Sequence, residues 1–167
     1  MTEIIVIAHN IRSTHNVGSI FRSCEGFGVK KIILSGYTPY PSLATGDSRL
    51  PHIREKLTKQ IHKTALSAEE LVPFEYQAAP DLGGLAQAGY RIVGLEQDPK
   101  AIMLNDYQVP DKVALLLGEE VEGVTAELRR QCDDLIEIPM VGQKESFNVS
   151  VATGIALYSL TTTSLTD

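Results

Sequence analysis

Short β-branched and aliphatic runs alternate along this chain with segments of helical periodicity. The runs at 3–7, 31–34, 72–76, 91–95, 112–117 and 135–138 are continuously apolar rather than alternating, as in Lys31-Ile32-Ile33-Leu34 and Arg91-Ile92-Val93-Gly94-Leu95. Runs of that kind mark strands covered on both faces. Between them, apolar residues at helical spacing predict helices over 16–27, 53–66, 81–88, 125–131 and 148–160. Such alternation predicts an α/β fold with a mostly parallel sheet and helices on both faces. Residues 36–51, with Gly36-Tyr37-Thr38-Pro39-Tyr40-Pro41 and then Gly46-Asp47, form a long predicted loop. Loops of that length are more often functional than idle.

The first predicted helix separates packing from chemistry. Val17, Ile20, Phe21, Cys24 and Phe27 form one apolar stripe, and Arg22 points roughly opposite it at about 100° per residue. Packing therefore does not hold Arg22 there. Asn16 is placed as the N-cap, Gly18 allows close backbone approach, and Gly26 and Gly28 end the helix. From spacing alone the preferred reading is a capped surface helix carrying a solvated arginine.

A chain of 167 residues is about one domain and buries about two-thirds of its unfolded surface without staples. Residues 1–167 are accordingly expected to be a single domain. The only cysteines are Cys24 and Cys132, and Met1-Thr2-Glu3 leads directly into Ile4-Ile5-Val6-Ile7. An intracellular, cytoplasmic protein with free thiols is expected. No apolar run approaches the ~18–20 residues that span a bilayer, so no membrane partner is expected. The net charge of −6 is unevenly divided: residues 1–63 hold nine Lys/Arg against four Asp/Glu, and the remainder six against seventeen. An acidic average conceals a basic half, which reads equally as ordinary surface variation or as a patch for a polyanion.

Three stretches carry candidate chemistry. The first is Asn16-Val17-Gly18-Ser19-Ile20-Phe21-Arg22. The second, Gly118-Glu119-Glu120-Val121-Glu122-Gly123, follows a predicted strand and precedes a helix, so it falls at the carboxyl edge of a parallel sheet, where open α/β folds bind ligands. It lacks the Lys-Ser/Thr of a phosphate-binding loop and the spacing of a dinucleotide fingerprint. The third is Ile138-Pro139-Met140 followed by Ser146-Phe147-Asn148-Val149-Ser150. There Ser146 or Asn148 caps a helix whose Ser150, Ala152, Gly154 and Ala156 permit very close packing. The glutamates are not spread over several elements as a metal or acid–base pair would need. His9, His15, His52 and His62 are scattered without ligand spacing, so no metal is expected.

Together these stretches resemble the three motifs of the SpoU/TrmH-type RNA 2′-O-methyltransferases of the SPOUT class, over nearly the whole chain. Phe147 stands where that family usually has Leu. The resemblance implies a C-terminal deep trefoil knot, S-adenosyl-L-methionine as cofactor, a homodimer with active sites at its interface, and tRNA or rRNA as substrate. Many members carry a separate RNA-binding domain; none is expected here, and that compactness favours tRNA. It implies that Leu95, with Gly94 and Glu96 beside it, Gly118, Ile138, Met140 and Phe147 surround the cofactor, largely through main-chain groups. Arg22 would act at the ribose 2′-hydroxyl, with Asn16, Glu120, Ser146 and Asn148 ordering it, the substrate and the loops. Whether Arg22 takes the proton or clamps a phosphate stays open, since guanidinium is essentially always protonated. Arg12, Arg54, Lys56, Lys59 and Lys63 are candidates for RNA phosphates. Ile53, Leu57 and Ile61 give the second helix an apolar face as well, so the lysines read equally as its solvated side. Rival readings are a noncatalytic RNA-binding or assembly protein of the same fold and a SPOUT base methyltransferase. A nucleotide-dependent reductase would instead need Gly-x-Gly-x-x-Gly after residue 7, where His9-Asn10-Ile11-Arg12-Ser13 stands.

Overall fold

The computed structural model describes residues 2–162. The strands are β1 (Glu3–His9), β2 (Lys31–Ser35), β3 (Phe74–Gln77), β4 (Arg91–Leu95), β5 (Ile102–Met103), β6 (Lys112–Leu117) and β7 (Asp134–Glu137). The helices are α1 (Thr14–Gly26), α2 (Pro51–Ala65), α3 (Ala68–Leu71), α4 (Leu82–Gln87), α5 (Ala126–Arg129) and α6 (Val149–Thr162). The seven strands form one sheet in the order β3-β2-β1-β6-β4-β7-β5, and every pairing is parallel.

Continuous apolar strands arise here because the sheet is covered on both faces. In β1, Ile4, Val6 and Ala8 enter one core cluster with Phe21, Ile61 and Leu157, while Ile5 and Ile7 enter a second with Leu82, Ile92 and Leu128. Strand β6 divides in the same way, Val113, Leu115 and Leu117 against Ala114 and Leu116. This is the two-residue alternation of a strand with both faces apolar. Helices α1, α2 and α6 supply the thicker layer. Fully burying each of its large side chains is worth about 1.5–3 kcal/mol; Phe21 is one, and it meets Phe74 edge to face at 5.4 Å.

Gly18 is fixed by helix packing. A Cβ there would lie 2.1 Å from Thr64 Oγ1 and 2.3 Å from the Ile61 carbonyl, so α1 and α2 reach their spacing only because that position is bare. Helix α1 also starts earlier than expected. Ser13 is its N-cap and accepts from Asn16 N–H, so Asn16 lies inside the first turn and does not cap it; its side-chain amide is left for contacts outside the helix. At the other end Phe27 is the C-cap and Gly28 takes φ +65°.

Strand β6 lies between β1 and β4, so β1, β2 and β3 extend the sheet to one side while the later strands, in the spatial order β6-β4-β7-β5, fill the other. The loops after β1, β4, β6 and β7 therefore gather at the carboxyl edge of the sheet beside this reversal, the usual ligand crevice of open α/β sheets. Among the described residues no helix is long and apolar enough to cross a membrane.

Candidate functional site

The loop after β6 is a tight return. Glu119 and Gly123 exchange backbone hydrogen bonds in both directions, at 3.1 and 2.9 Å. Gly118 makes the return possible in a way the sequence did not indicate. A Cβ on it would stand 2.2–2.4 Å from the backbone of Gly123 and Val124, so its bareness serves the loop's own closure before any ligand. Gly123 is at φ +68°, and a Cβ on it would strike the Glu96 carboxylate. Glu96 clamps this wall, accepting from Val124 N–H at 2.6 Å and from Gln97 N–H at 2.9 Å.

The N-terminus of α1 holds Glu120. Arg12 N–H and Ser13 N–H donate to its two carboxylate oxygens at 3.3 and 3.4 Å, and Asn16 Nδ2 donates at 3.2 Å. The positive end of a 13-residue helix favours that charge. Partial burial pushes the Glu120 carboxyl upward, but these donors and its own backbone N–H more than offset it, and it lies below the ordinary glutamate value. Arg12 is drawn to the same loop through an ion pair to Glu119 at 2.9 Å.

Asn16 also accepts from Asn148 Nδ2 at 3.1 Å. Asn148 caps α6: its Oδ1 accepts from Ser150 N–H at 2.9 Å and from the Ser150 hydroxyl at 2.7 Å. One asparagine therefore joins residues 104 and 132 positions away, and each of the three belongs to a different motif.

A cavity of about 500 Å³ opens beside this junction, within the usual range of small-molecule pockets. Its wall includes Leu95, Glu96, Gly118, Ile138, Met140 and Phe147, six of the seven residues expected around a cofactor, and also Glu120, Ser146 and Asn148. Gly94 is not in the wall. Its missing side chain faces Leu135 and Cys132, so it serves packing between β4 and β7. Gln97, Glu119, Val121, Glu122, Gly123, Glu137, Glu145, Val149 and Ala152 line the cavity without having been singled out as site residues. Glu119, Val121, Glu122, Gly123 and Val149 lie within the motif stretches and Ala152 within the small-residue helix, whereas Gln97, Glu137 and Glu145 carry no sequence signal. Six glutamates and no Lys or Arg stand among the lining residues. Among the described residues no group of three His, Cys, Asp or Glu side chains is placed to hold a metal ion.

Arg22 is not brought to the cavity of its own chain. It is exposed, six residues beyond Asn16 and so about 9 Å further along α1, in a shallow cleft with Ser19, Ser23, Phe27, Lys63 and Thr64. Among the described residues its side chain has no hydrogen bond or ion pair. On α2, Lys56, Lys59 and Lys63 are exposed, Arg54 is half-buried, and of the apolar face only Ile61 is fully covered. Arg49, at the start of this basic segment, is spent within its loop on Asp47.

Comparison with known proteins matches the model of the SpoU rRNA methylase family over residues 3–158. The chain is 30% identical over 165 residues to the tRNA (guanosine(18)-2′-O)-methyltransferase TARBP1 of Mus musculus, covering 96% of this chain and 9% of that protein. It is 29% identical over 159 residues to the 23S rRNA (guanosine-2′-O-)-methyltransferase RlmB of Coxiella burnetii, covering 94% of this chain and 57% of that one. The fold is shared with the AdoMet-bound rRNA methyltransferase of Sinorhizobium meliloti, with a TM-score of 0.78 at 23% identity, over 99% of this chain and 57% of that chain. The chain thus spans little more than half of these bacterial proteins and about a tenth of the mouse one. With the match running from β1 into α6, the chain belongs to the SpoU rRNA methylase family.

Proposed function

We propose that the chain is an S-adenosylmethionine-dependent methyltransferase acting on a ribose 2′-hydroxyl of tRNA or rRNA, in the cytoplasm. The observation that carries this reading is the junction of Asn16, Glu120 and Asn148 at the mouth of the cavity. The donor set of the cavity fits the cofactor. Its sulfonium and ammonium outnumber its one carboxylate, and an acidic wall favours such a ligand over a nucleotide bearing phosphates. Leu95, Ile138, Met140 and Phe147 would hold the apolar parts, with main-chain groups of the 118–123 return beside them. The cofactor would supply an electrophilic methyl group.

The protein's own work is then placement and the management of one proton. Glu120, fixed as a carboxylate by the α1 N-terminus, orients Asn16, and Asn16 orients Asn148 at the start of α6. Ser146 stands on the same wall. A guanidinium keeps its proton in proteins, so Arg22 is read as a cationic fork that clamps an RNA phosphate. That phosphate, rather than Arg22, takes the proton the 2′-hydroxyl gives up as its oxygen takes the methyl group. Because it lies outside its own cavity, it reaches a reacting ribose only if a second copy packs against α1 and α6. Exposed Val151 and Tyr158, with Tyr158 6.4 Å from the half-buried Phe27 ring, offer an apolar surface there. A two-fold dimer is therefore part of the reading. So is the family's knot, supported by the passage of the 138–148 segment beside the 96–101 loop, where Gln97 donates to the Glu145 carbonyl.

Calorimetry with S-adenosylmethionine against NADH tests the cofactor, and mass spectrometry of nucleosides from separated tRNA and rRNA of cells lacking the protein tests the reaction. Loss of one 2′-O-methylnucleoside is expected. Loss of a base-methylated nucleoside would move the chemistry from ribose to base, and no S-adenosylmethionine binding would leave a noncatalytic RNA-binding protein.

A further inference from the structure

The groove between the start of α1 and the 36–50 loop lies outside the chemistry above. It has a volume of about 620 Å³ and is bordered by Arg12, Tyr37, Tyr40, Arg49 and Gln60. Its floor is a rigid stack. The Tyr76 ring lies on Tyr40 at 4.3 Å and 18°, and the Arg49 guanidinium covers Tyr40 at 3.6 Å. Arg49 is locked by Asp47, at 2.6 and 2.9 Å, and by the carbonyls of Tyr40 and Pro41, at 2.8 and 2.9 Å. It is therefore occupied in shaping the loop. The other end of the loop is tied down as well. Thr38 Oγ1 donates to the Ala8 carbonyl and accepts from Ile11 N–H, both at 2.9 Å. Tyr37 N–H donates to Asn10 Oδ1 at 3.1 Å, with Asn10 held at φ 56°.

All of this fixed backbone presents one large aromatic ring to solvent. Tyr37 is 53% exposed, and the Arg12 guanidinium stands 5.9 Å from its centroid. An aromatic face beside a guanidinium plane is what stacks unpaired bases of RNA, and every base has a π-face to offer. The location supplies the second argument. Arg12 is the residue that pairs with Glu119 and donates its backbone N–H to Glu120, so the groove borders the cavity at the Asn16 junction. Arg12 also offsets acidic charge where a polyanion would have to approach. We propose that this groove is a stacking site for one unpaired nucleobase of the RNA substrate, adjacent to the nucleotide whose ribose is methylated, with Tyr37 as the platform and Arg12 beside it. The proposal rests on the methyltransferase reading for its substrate class. Because the loop is pre-ordered, little ordering cost falls on binding.

Tyr37 can be changed without touching the core. Tyr37→Ala should weaken binding of unfractionated tRNA about 10-fold, the usual effect of deleting one stacking platform, while Tyr37→Phe stays within twofold of wild type and S-adenosylmethionine affinity is unchanged in both. The chain has no Trp, so fluorescence of a single-stranded RNA carrying 2-aminopurine reports stacking cleanly. Wild type and Tyr37→Phe should quench it and Tyr37→Ala should not. Unchanged tRNA affinity in Tyr37→Ala, or quenching that survives the loss of the ring, overturns the stacking site while leaving the enzyme reading standing. Failure of the wild-type protein to bind S-adenosylmethionine overturns the enzyme reading, and failure to bind RNA overturns both.

Discussion

If Arg22 serves the cavity of a second copy, two inactive variants should repair each other. Arg22 sits about 9 Å along α1 from Asn16 and about 120° around its axis, and it contributes nothing to the wall of its own cavity. Arg22→Ala alone should lower methyl transfer about 100-fold or more without changing cofactor affinity. Met140→Arg should be equally inactive for a different reason. Met140 is half-buried in the cavity wall, and a guanidinium there would fill the space and pair with the surrounding glutamates. In a dimer of one chain of each kind, the damaged cavity faces the truncated side chain of the Arg22→Ala copy, and the intact cavity faces an intact Arg22. In an equal mixture about half of the dimers are mixed and each has one working site, so activity should return to about a quarter of wild type. The assay is transfer of labelled methyl to RNA after co-expression of the two variants under different affinity tags. Sedimentation that finds only monomers, or mixed dimers no more active than either parent, would refute the cross-subunit role of Arg22.

Gly118→Val should cost more than cofactor affinity, because its side chain meets the Gly123–Val124 backbone; a fall of several degrees in melting temperature should accompany loss of S-adenosylmethionine binding, and a variant of unchanged stability would contradict the packing account. Gly18→Ala should destabilise by about 2 kcal/mol, since overpacking against α2 outweighs the helix propensity of Ala; thermal unfolding reads it, and a stabilised protein would show that α1 and α2 are not in close contact. The Glu120 carboxyl is held low, so its stabilisation of the junction is present above the ordinary glutamate value near 4.3 and is lost as pH falls through the lower folded value. The Asn16 side-chain amide resonance should therefore titrate below about pH 4.3 and stay flat in Glu120→Gln; a midpoint at or above the ordinary value would be inconsistent with the hydrogen bonds described. Reversing Lys56, Lys59 and Lys63 to Glu should weaken RNA binding and flatten its salt dependence by up to about one unit of slope per lost phosphate contact, with S-adenosylmethionine affinity unchanged; an unaltered slope would return these lysines to the solvated side of a packed helix.

The layered fold was legible because strands such as β1, β2 and β6 are continuous apolar runs, the mark of a sheet buried on both faces. Strand β3, Phe74-Glu75-Tyr76-Gln77, lies at the sheet edge and is half-buried throughout, so its run is not apolar. What escaped had no period to read. Strand β5 is two exposed residues at the sheet edge, Ile102–Met103, and Val72, taken as the start of a strand, is the C-cap of the four-residue helix α3. In the site, Asn16, Glu120 and Asn148 each stood out locally, but their contact depends on β6 lying against β1 and on the entry of α6, neither of which periodicity encodes. Glu96 shows the same limit. Its clamp on Val124 exists because the loop after β4 ends beside the loop after β6, a consequence of strand order alone. The off-stripe position of Arg22 was readable from helical geometry, whereas the distance between it and the cavity was not.

Strand order also resolves the conflict between an acidic chain and the polyanionic substrate proposed for it. The basic half, residues 1–63, supplies β1, α1, β2 and α2; all of the cavity's glutamates come from residues 96–145 of the acidic half. Inserting β6 beside β1 places these two populations edge to edge instead of at opposite ends of the molecule. The boundary runs through Arg12, whose guanidinium pairs with Glu119 and whose backbone N–H holds Glu120. On one side of it the carboxylates suit a cationic cofactor; on the other, Arg22 and the lysines of α2 face solvent with charge to offer a phosphate backbone. Net charge averages over both, and at distances beyond a Debye length of about 8 Å the average has little hold on either partner. A uniformly basic cavity would repel the sulfonium and a uniformly acidic surface would repel the RNA, so binding both, as proposed, would need this division.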